Sequence, residues 1–182
     1  MRLLLTFLTA GVLLLAGAAP AVAGPDDLPV IPVGAFGWPV TGLSDGAPAG
    51  GGVVRRFLPP PTPYGRGHRG VDLTGVPGSA VLAAGAGTVV FAGMLAGRGV
   101  VSVLHAGGLR TTYEPVRALV PVGAVVARGT VLGTLDPGHA GCPVACLHWG
   151  LRRAHPPGAA REQYLDPLLL VGLGRTRLWP TR

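Results

Sequence analysis

Short Val-rich apolar runs, each stopped by glycine or proline, recur along the chain, and no helical periodicity outlasts two turns before residue 159. Runs of this kind are the mark of strands joined by turns. The pattern predicts strands over residues 53–57, 81–84, 87–92, 99–105, 109–113, 130–135 and 146–152, with shorter extended pieces at 120–123 and 125–129. Ala106-Gly107-Gly108 supplies a hairpin turn that sends 109–113 back against 99–105. The prolines at 59, 60, 61 and 63 hold the stretch up to Tyr64 extended, because a residue before proline is pushed out of the helical region. One helical turn is predicted near Asp166-Pro167. Strand, turn and strand at this spacing imply an all-β domain of antiparallel sheets, a small β-sandwich with an open groove and long loops.

The ends read differently. Arg2 is followed by an almost wholly apolar stretch over 3–17, and Ala21-Val22-Ala23 has the small-x-small form of a cleavage site. The apolar run is short for a bilayer span of about 20 residues. Residues 1–23 are therefore read as a secretory signal peptide, with an uncleaved N-terminal anchor as the alternative. No membrane span is expected after cleavage. Residues 24–35, rich in Pro, Asp and small side chains, read as a flexible leader. The β domain is expected over 36–171, opening at Trp38-Pro39-Val40, and 172–182 as a basic tail.

Composition sharpens this picture at two points. The chain of 182 residues, with Gly 31 and Pro 19, is long enough for one domain with a core and too broken for long helices. Its net charge is +7, and every one of its 15 basic residues is arginine, which composition bias in a GC-rich genome explains. A cationic surface favours anionic surroundings such as a cell envelope. The arginines are scattered and not interleaved with aromatic residues, so nucleic acid is not expected as a partner. Cys142 and Cys146 are the two cysteines, and in a secreted chain they read as a disulfide. A loop that small gains only about 2 kcal/mol from closure, so its value is to fix the segment leading into His148.

The candidate chemistry centres on Gly67-His68-Arg69-Gly70-Val71-Asp72. In a straight strand His68 and Asp72 would stand about 13 Å apart, too far to share an ion. A turn at Arg69-Gly70, using the backbone freedom of glycine, brings them together. His148 is the best candidate for a third ligand. On spacing alone, metal binding and a pair of unrelated surface histidines with a turn aspartate stay equally open. Among the other residues, Tyr64 either borders a groove and bonds a substrate carbonyl or packs on its prolines. Arg69 either meets anionic wall polymers or is solvated. His105 reads as a structural hairpin residue, His155 as exposed, and Trp149 and Tyr113 as core. His139, in Gly138-His139-Ala140-Gly141, reads first as a solvated loop histidine.

With these landmarks in place the chain resembles the LytM-type zinc peptidases of family M23, from about Trp38 to Leu170. The resemblance rests on Gly67-His68-Arg69-Gly70-Val71-Asp72-Leu73, Gly78 with Val81-Ala83-Ala84, and Gly87-Thr88-Val89. It continues through 103–113, Cys146-Leu147-His148-Trp149-Gly150 and Tyr164-Leu165-Asp166-Pro167. It implies a zinc ion held by His68, Asp72 and His148, and a secreted or cell-envelope endopeptidase acting on peptidoglycan peptides. Two His and one carboxylate with an open fourth position is the donor set of a catalytic zinc site. The family's two proton-handling histidines fall on Pro115 and Cys146, neither of which can do that work. Glu114 adjoins Pro115, but on a strand it faces the opposite way from residues 113 and 115. His139 is the candidate substitute base. Three readings follow: a zinc endopeptidase, a non-catalytic envelope module that binds peptidoglycan or regulates a wall hydrolase, and a secreted β domain without metal.

Overall fold

The computed structural model describes residues 31–41, 52–62, 65–139, 141–142, 145–153 and 162–174. The segment read as a signal peptide, most of the leader, Tyr64, His155 and residues 175–182 lie outside the described residues. The strands are β1 (Val53–Arg55), β2 (Gly70–Thr74), β3 (Ala80–Leu82), β4 (Gly87–Leu95), β5 (Arg98–Leu104), β6 (Leu109–Glu114), β7 (Val116–Ala118), β8 (Val125–Val126), β9 (Val131–Leu135), β10 (Cys146–Arg153) and β11 (Gln163–Leu165). Two short 3₁₀ turns, Ala106–Gly108 and Pro167–Val171, complete the described elements. No helix among the described residues is long and apolar enough to cross a membrane.

The fold is all-β with antiparallel pairing throughout. The larger sheet runs β1-β2-β10-β6-β5-β4-β8, with β11 added beside the far half of β10, and a smaller sheet runs β3-β9-β7. The long strands lie within a few residues of the expected runs. Residues 120–123 form a turn, because Pro121 has no N–H for a ladder and Gly123 sits at φ 89°. Strands β2, β7 and β11 were not expected, since each is short and draws its pairing from distant partners rather than from its own pattern.

Alternation decides the faces. Val71 and Leu73 of β2, Leu109 and Tyr113 of β6, and Leu147, Trp149 and Leu151 of β10 all point into the core. They meet Val81, Val116, Leu132 and Leu135 from the smaller sheet. Trp38 closes one end of this layer, its ring 6.4 Å from that of Trp149. Ile31, within the stretch 24–35 read as a flexible leader, packs against the same core. The opposite face of β2, β10 and β6 carries Gly70, Asp72, His148, Gly150, Arg152, Arg110, Thr112 and Glu114, and it is this face that forms the site.

A buried polar relay ties the hairpin of β5 and β6 to the smaller sheet's approach. The Ala84 N–H donates to the Tyr113 hydroxyl at 2.9 Å, which leaves that hydroxyl to donate to Thr111 Oγ1 at 2.8 Å. Thr111 then donates to His105 Nε2 at 2.7 Å, and His105 Nδ1–H to the Ala86 carbonyl at 2.8 Å. Every donor has one acceptor, so the histidine at the hairpin is structural and neutral.

Tyr113→Phe leaves the buried Ala84 N–H without its acceptor, and the expected cost is about 1–3 kcal/mol in denaturant unfolding; an unchanged midpoint would contradict the relay. Burial pushes the His105 imidazole below its ordinary value, against a smaller opposing pull from the Ala86 carbonyl. The unfolded chain then binds the proton more readily, so stability is lost as pH falls below about 6.5. Metal-free protein should therefore lose more melting temperature between neutral and mildly acid pH than His105→Gln does, and parallel slopes would refute this.

Candidate metal centre

Three donor atoms converge where β2 meets β10. His68 Nε2 lies 3.0 Å from Asp72 Oδ1 and 3.0 Å from His148 Nδ1, and His148 Nδ1 lies 2.8 Å from Asp72 Oδ1. Asp72 and His148 are directly opposed in the β2–β10 ladder, so both side chains leave the sheet on one face. His68 comes from just before β2. It is held by a bridge to Leu58, and its Nδ1–H donates to the Arg56 carbonyl at 2.8 Å. A carbonyl can only accept, so Nδ1 carries a proton, and Nε2 is the nitrogen turned toward the triangle.

These residues fit a metal ion. Four tetrahedral donors with bonds of about 2.0–2.1 Å stand roughly 3.3 Å apart, a few tenths of an ångström wider than the triangle here. Burial pushes the Asp72 carboxyl up. Hydrogen bonds from His148 and His68, with the positive potential of His68 and His139, outweigh that and hold it well below the usual carboxylate range. An ionised, buried carboxylate between two ring nitrogens is a cation site by its own electrostatics. Among the described residues this is the one such cluster of His, Cys, Asp and Glu.

The bend that joins His68 to Asp72 falls at Arg69, and Gly70 already belongs to β2. Gly70 serves there by its small size rather than by unusual backbone angles. A Cβ at this position would lie 2.5 Å from the Trp149 carbonyl oxygen and 2.6 Å from His148 Nε2. The glycine makes room for the imidazole beside the neighbouring strand.

His139 is not a solvated loop residue. Its ring stacks on His148 with centroids 5.8 Å apart and planes 8° apart, and its Nε2 stands 3.5 Å from Asp72 Oδ1. Gly138 and Gly141, at φ 98° and 85°, turn the loop inward on either side of it. The Cys142–Cys146 disulfide then ties that loop to β10, two residues before His148. Cys142 also takes a backbone bond to the His139 carbonyl, and its sulfur lies 3.8 Å from His139 Nδ1.

Glu114 does face away from Tyr113, but Tyr113 is the residue that points into the core. Glu114 therefore stands on the site face, directly across from His148, with a carboxylate oxygen 2.9 Å from Arg98 Nε. Pro115, following a cis peptide bond, lines the same cavity as His68, His139 and His148. This cavity of about 540 Å³ adjoins a second of about 600 Å³ that runs along the sheet, and His68, Arg98, Glu114 and His148 border both. Arg69 lines the second, with its guanidinium 5.5 Å above the Tyr164 ring and Nη2 3.4 Å from the Gly65 carbonyl. Reading every second residue along 110–114 and 148–152 marks the groove face, a signal the sequence carries once the core side of either strand is known.

Residues 66–167 match the model of peptidase family M23. An uncharacterized protein of Mycobacterium tuberculosis is 50% identical over 167 residues, covering 91% of this chain and 60% of its own length. The chain thus spans about three-fifths of that relative. A lipoprotein NlpD/LppB homolog of Pseudomonas aeruginosa is 33% identical over 155 residues, 84% of this chain and 43% of that protein. Among solved structures, a zinc containing peptidase from Vibrio cholerae superimposes with a TM-score of 0.50 at 23% identity, over 64% of this chain and 36% of that one, a likeness of fold.

Gly70→Ala tests this packing, with folding followed alongside because the same methyl presses on the Trp149 carbonyl. The added methyl displaces His148, and affinity for a divalent transition metal, titrated into the metal-free protein, should fall at least about tenfold, the range for disturbed ligand support. Unchanged affinity would mean that the packing of Gly70 on His148 does not set the ligand position.

Proposed function

We propose, from the premise that the chain belongs to peptidase family M23, that it is a zinc-dependent endopeptidase of the cell envelope that hydrolyses peptide bonds in peptidoglycan. The observation that carries this reading is the triangle of His68 Nε2, Asp72 Oδ1 and His148 Nδ1, all within 3.0 Å of one another at the foot of an open groove. The relative from Vibrio cholerae is a zinc containing peptidase, which supports zinc as the ion. Zinc bound there supplies acidity to a water and polarises the peptide carbonyl. The rest of the work falls to the chain itself. Arg56 fixes the His68 tautomer through its carbonyl, and Asp72 holds the charge that keeps the ion in place. His139, on the disulfide-tied loop, takes the proton of the attacking water and returns it to the leaving amine. Arg69 borders the substrate groove and favours anionic wall material. Residues 1–23 act as the secretory signal that delivers the domain, read over 36–171, to the envelope.

A second reading is favoured by Pro115 and Cys146, which stand where the family's proton-handling histidines fall. On that reading the groove binds wall peptide, or regulates a wall hydrolase, without turnover. Zinc-loaded mature protein incubated with peptidoglycan decides between the two. The peptidase reading expects soluble muropeptides from the natural sequence, none from His148→Ala, and a loss of roughly 100-fold in His139→Ala with its zinc content intact. No release above the His148→Ala control at any pH tested would leave the binding module as the function. A zinc content unaffected by His68→Ala would overturn the metal site itself.

A further inference from the structure

The groove floor beyond the metal centre has an unusual charge arrangement. On β10 and β6 the site face carries three successive cross-strand pairs: His148 opposite Glu114, Gly150 opposite Thr112, and Arg152 opposite Arg110. The first row holds the metal centre. The second is small, and its closeness is enforced, since a Cβ at Gly150 would lie 2.3 Å from Thr112 Oγ1. The third sets two guanidiniums directly across from each other, an arrangement that destabilises a sheet unless an anion lies between them.

Only part of that charge is met. Glu162 accepts from Arg110 Nη2 at 2.8 Å and from Arg152 Nη1 at 2.7 Å, so one carboxylate serves two cations. A third guanidinium, that of Arg69, sits over one side of the Tyr164 ring, while Arg152 lies 5.9 Å from the same ring. Tyr164 itself is placed by pairing with Arg152 across β10 and β11. The Arg110 Nε is buried and has no hydrogen-bond partner among the described residues. Arg69, Arg110, Arg152 and Tyr164 all line the cavity that also reaches His148.

We infer that Arg69, Arg110 and Arg152 form an anion subsite that takes a carboxylate of the substrate peptide, with Thr112 lining the groove between it and the metal centre. The inference deepens the peptidase reading and rests on it for the word substrate. Four residues of strand separate Arg152 from His148, about 13 Å at ~3.3 Å per residue. An extended peptide lying along the strand therefore places its carboxylate roughly four residues from the bond at the metal centre. Guanidinium pairs bind carboxylates through charged hydrogen bonds, and Tyr164 stiffens two of the three cations so that little ordering is needed on binding.

The test uses two short synthetic peptides, one with a single Glu about four residues from its centre and a twin with Gln there. Binding to the full chain is measured with and without zinc, and cleavage is followed in parallel. The ratio of the two affinities is read within each protein, so a loss of folded fraction cancels. The Glu peptide should bind about tenfold more tightly. Arg152→Gln and Arg69→Gln should each bring the ratio close to one, while Arg128→Gln, which removes the same charge elsewhere, should keep it. A ratio near one in the natural protein, or one that survives Arg152→Gln, overturns the subsite. Displacement of the Glu peptide by linear polyphosphate at equal charge overturns it as well, since the groove would then read charge alone. Discrimination in binding without cleavage keeps the subsite and removes the peptidase reading; cleavage of both peptides without discrimination does the reverse.

Discussion

Asp72 on β2 lies directly across from His148 on β10, and the site exists because of that pairing. Side chains alternate faces along a strand, so a slip of one residue would turn Asp72 into the core and bring Val71 or Leu73 out to the surface. The buried side of the same strands prevents the slip. Val71 and Leu73 fill the core against Leu147, Trp149 and Leu151, and moving them into water would cost several kcal/mol. The hydrophobic layer thus sets the ligand geometry on the far side of the sheet. His68 is the one ligand outside the ladder, and it is fixed by two backbone contacts, its own bridge to Leu58 and the Arg56 carbonyl.

Space on the site face is governed by glycine. Gly70 and Gly150 are themselves paired across β2 and β10, and each abuts its neighbours too closely to admit a methyl group. The result is that His148 and Thr112 pack directly over the glycine pair. A side chain at position 70 would press on the His148 imidazole, and one at position 150 on Thr112. The placing of the metal ligands and the close pairing of the strands beneath them therefore depend on the same two glycines.

Much of the architecture was legible in the chain. Val-rich runs bounded by glycine give the long strands because their pairing needs only local alternation, and the His68–Asp72 spacing announced itself through the glycine between them. Three things were not legible. The face on which Glu114 stands depends on which of residues 113 and 114 is buried, and Tyr113 is drawn inward by a hydrogen bond from Ala84, far back along the chain, as well as by one to Thr111 on its own strand. The opposition of Arg110 and Arg152 depends on a register between strands forty residues apart in sequence, which composition does not encode. His139 looks like an ordinary loop residue because its position is set by a disulfide and two left-handed glycines rather than by any periodic pattern. Gly138-His139 followed by Cys142 was the available signal, a histidine bracketed for a sharp turn and tethered next to a ligand strand.

That tether bears on how a metal centre can change its proton-handling group without losing its shape. A strand residue two places from a ligand shares that ligand's face, so position 146 is a natural seat for such a group. Here it holds half of a disulfide instead, and the other half anchors the loop that stacks His139 on His148. An imidazole on a free loop would spend most of its time in solvent, and the ordering needed to bring it in would cost on the order of 1–2 kcal/mol per backbone residue fixed. Closing the loop through Cys146 meets that cost when the disulfide forms, before any substrate arrives. Under the peptidase reading, the cysteine at 146 is then a means of delivering a histidine from elsewhere in the chain, and the covalent link does for His139 what a strand would have done for a histidine in its place.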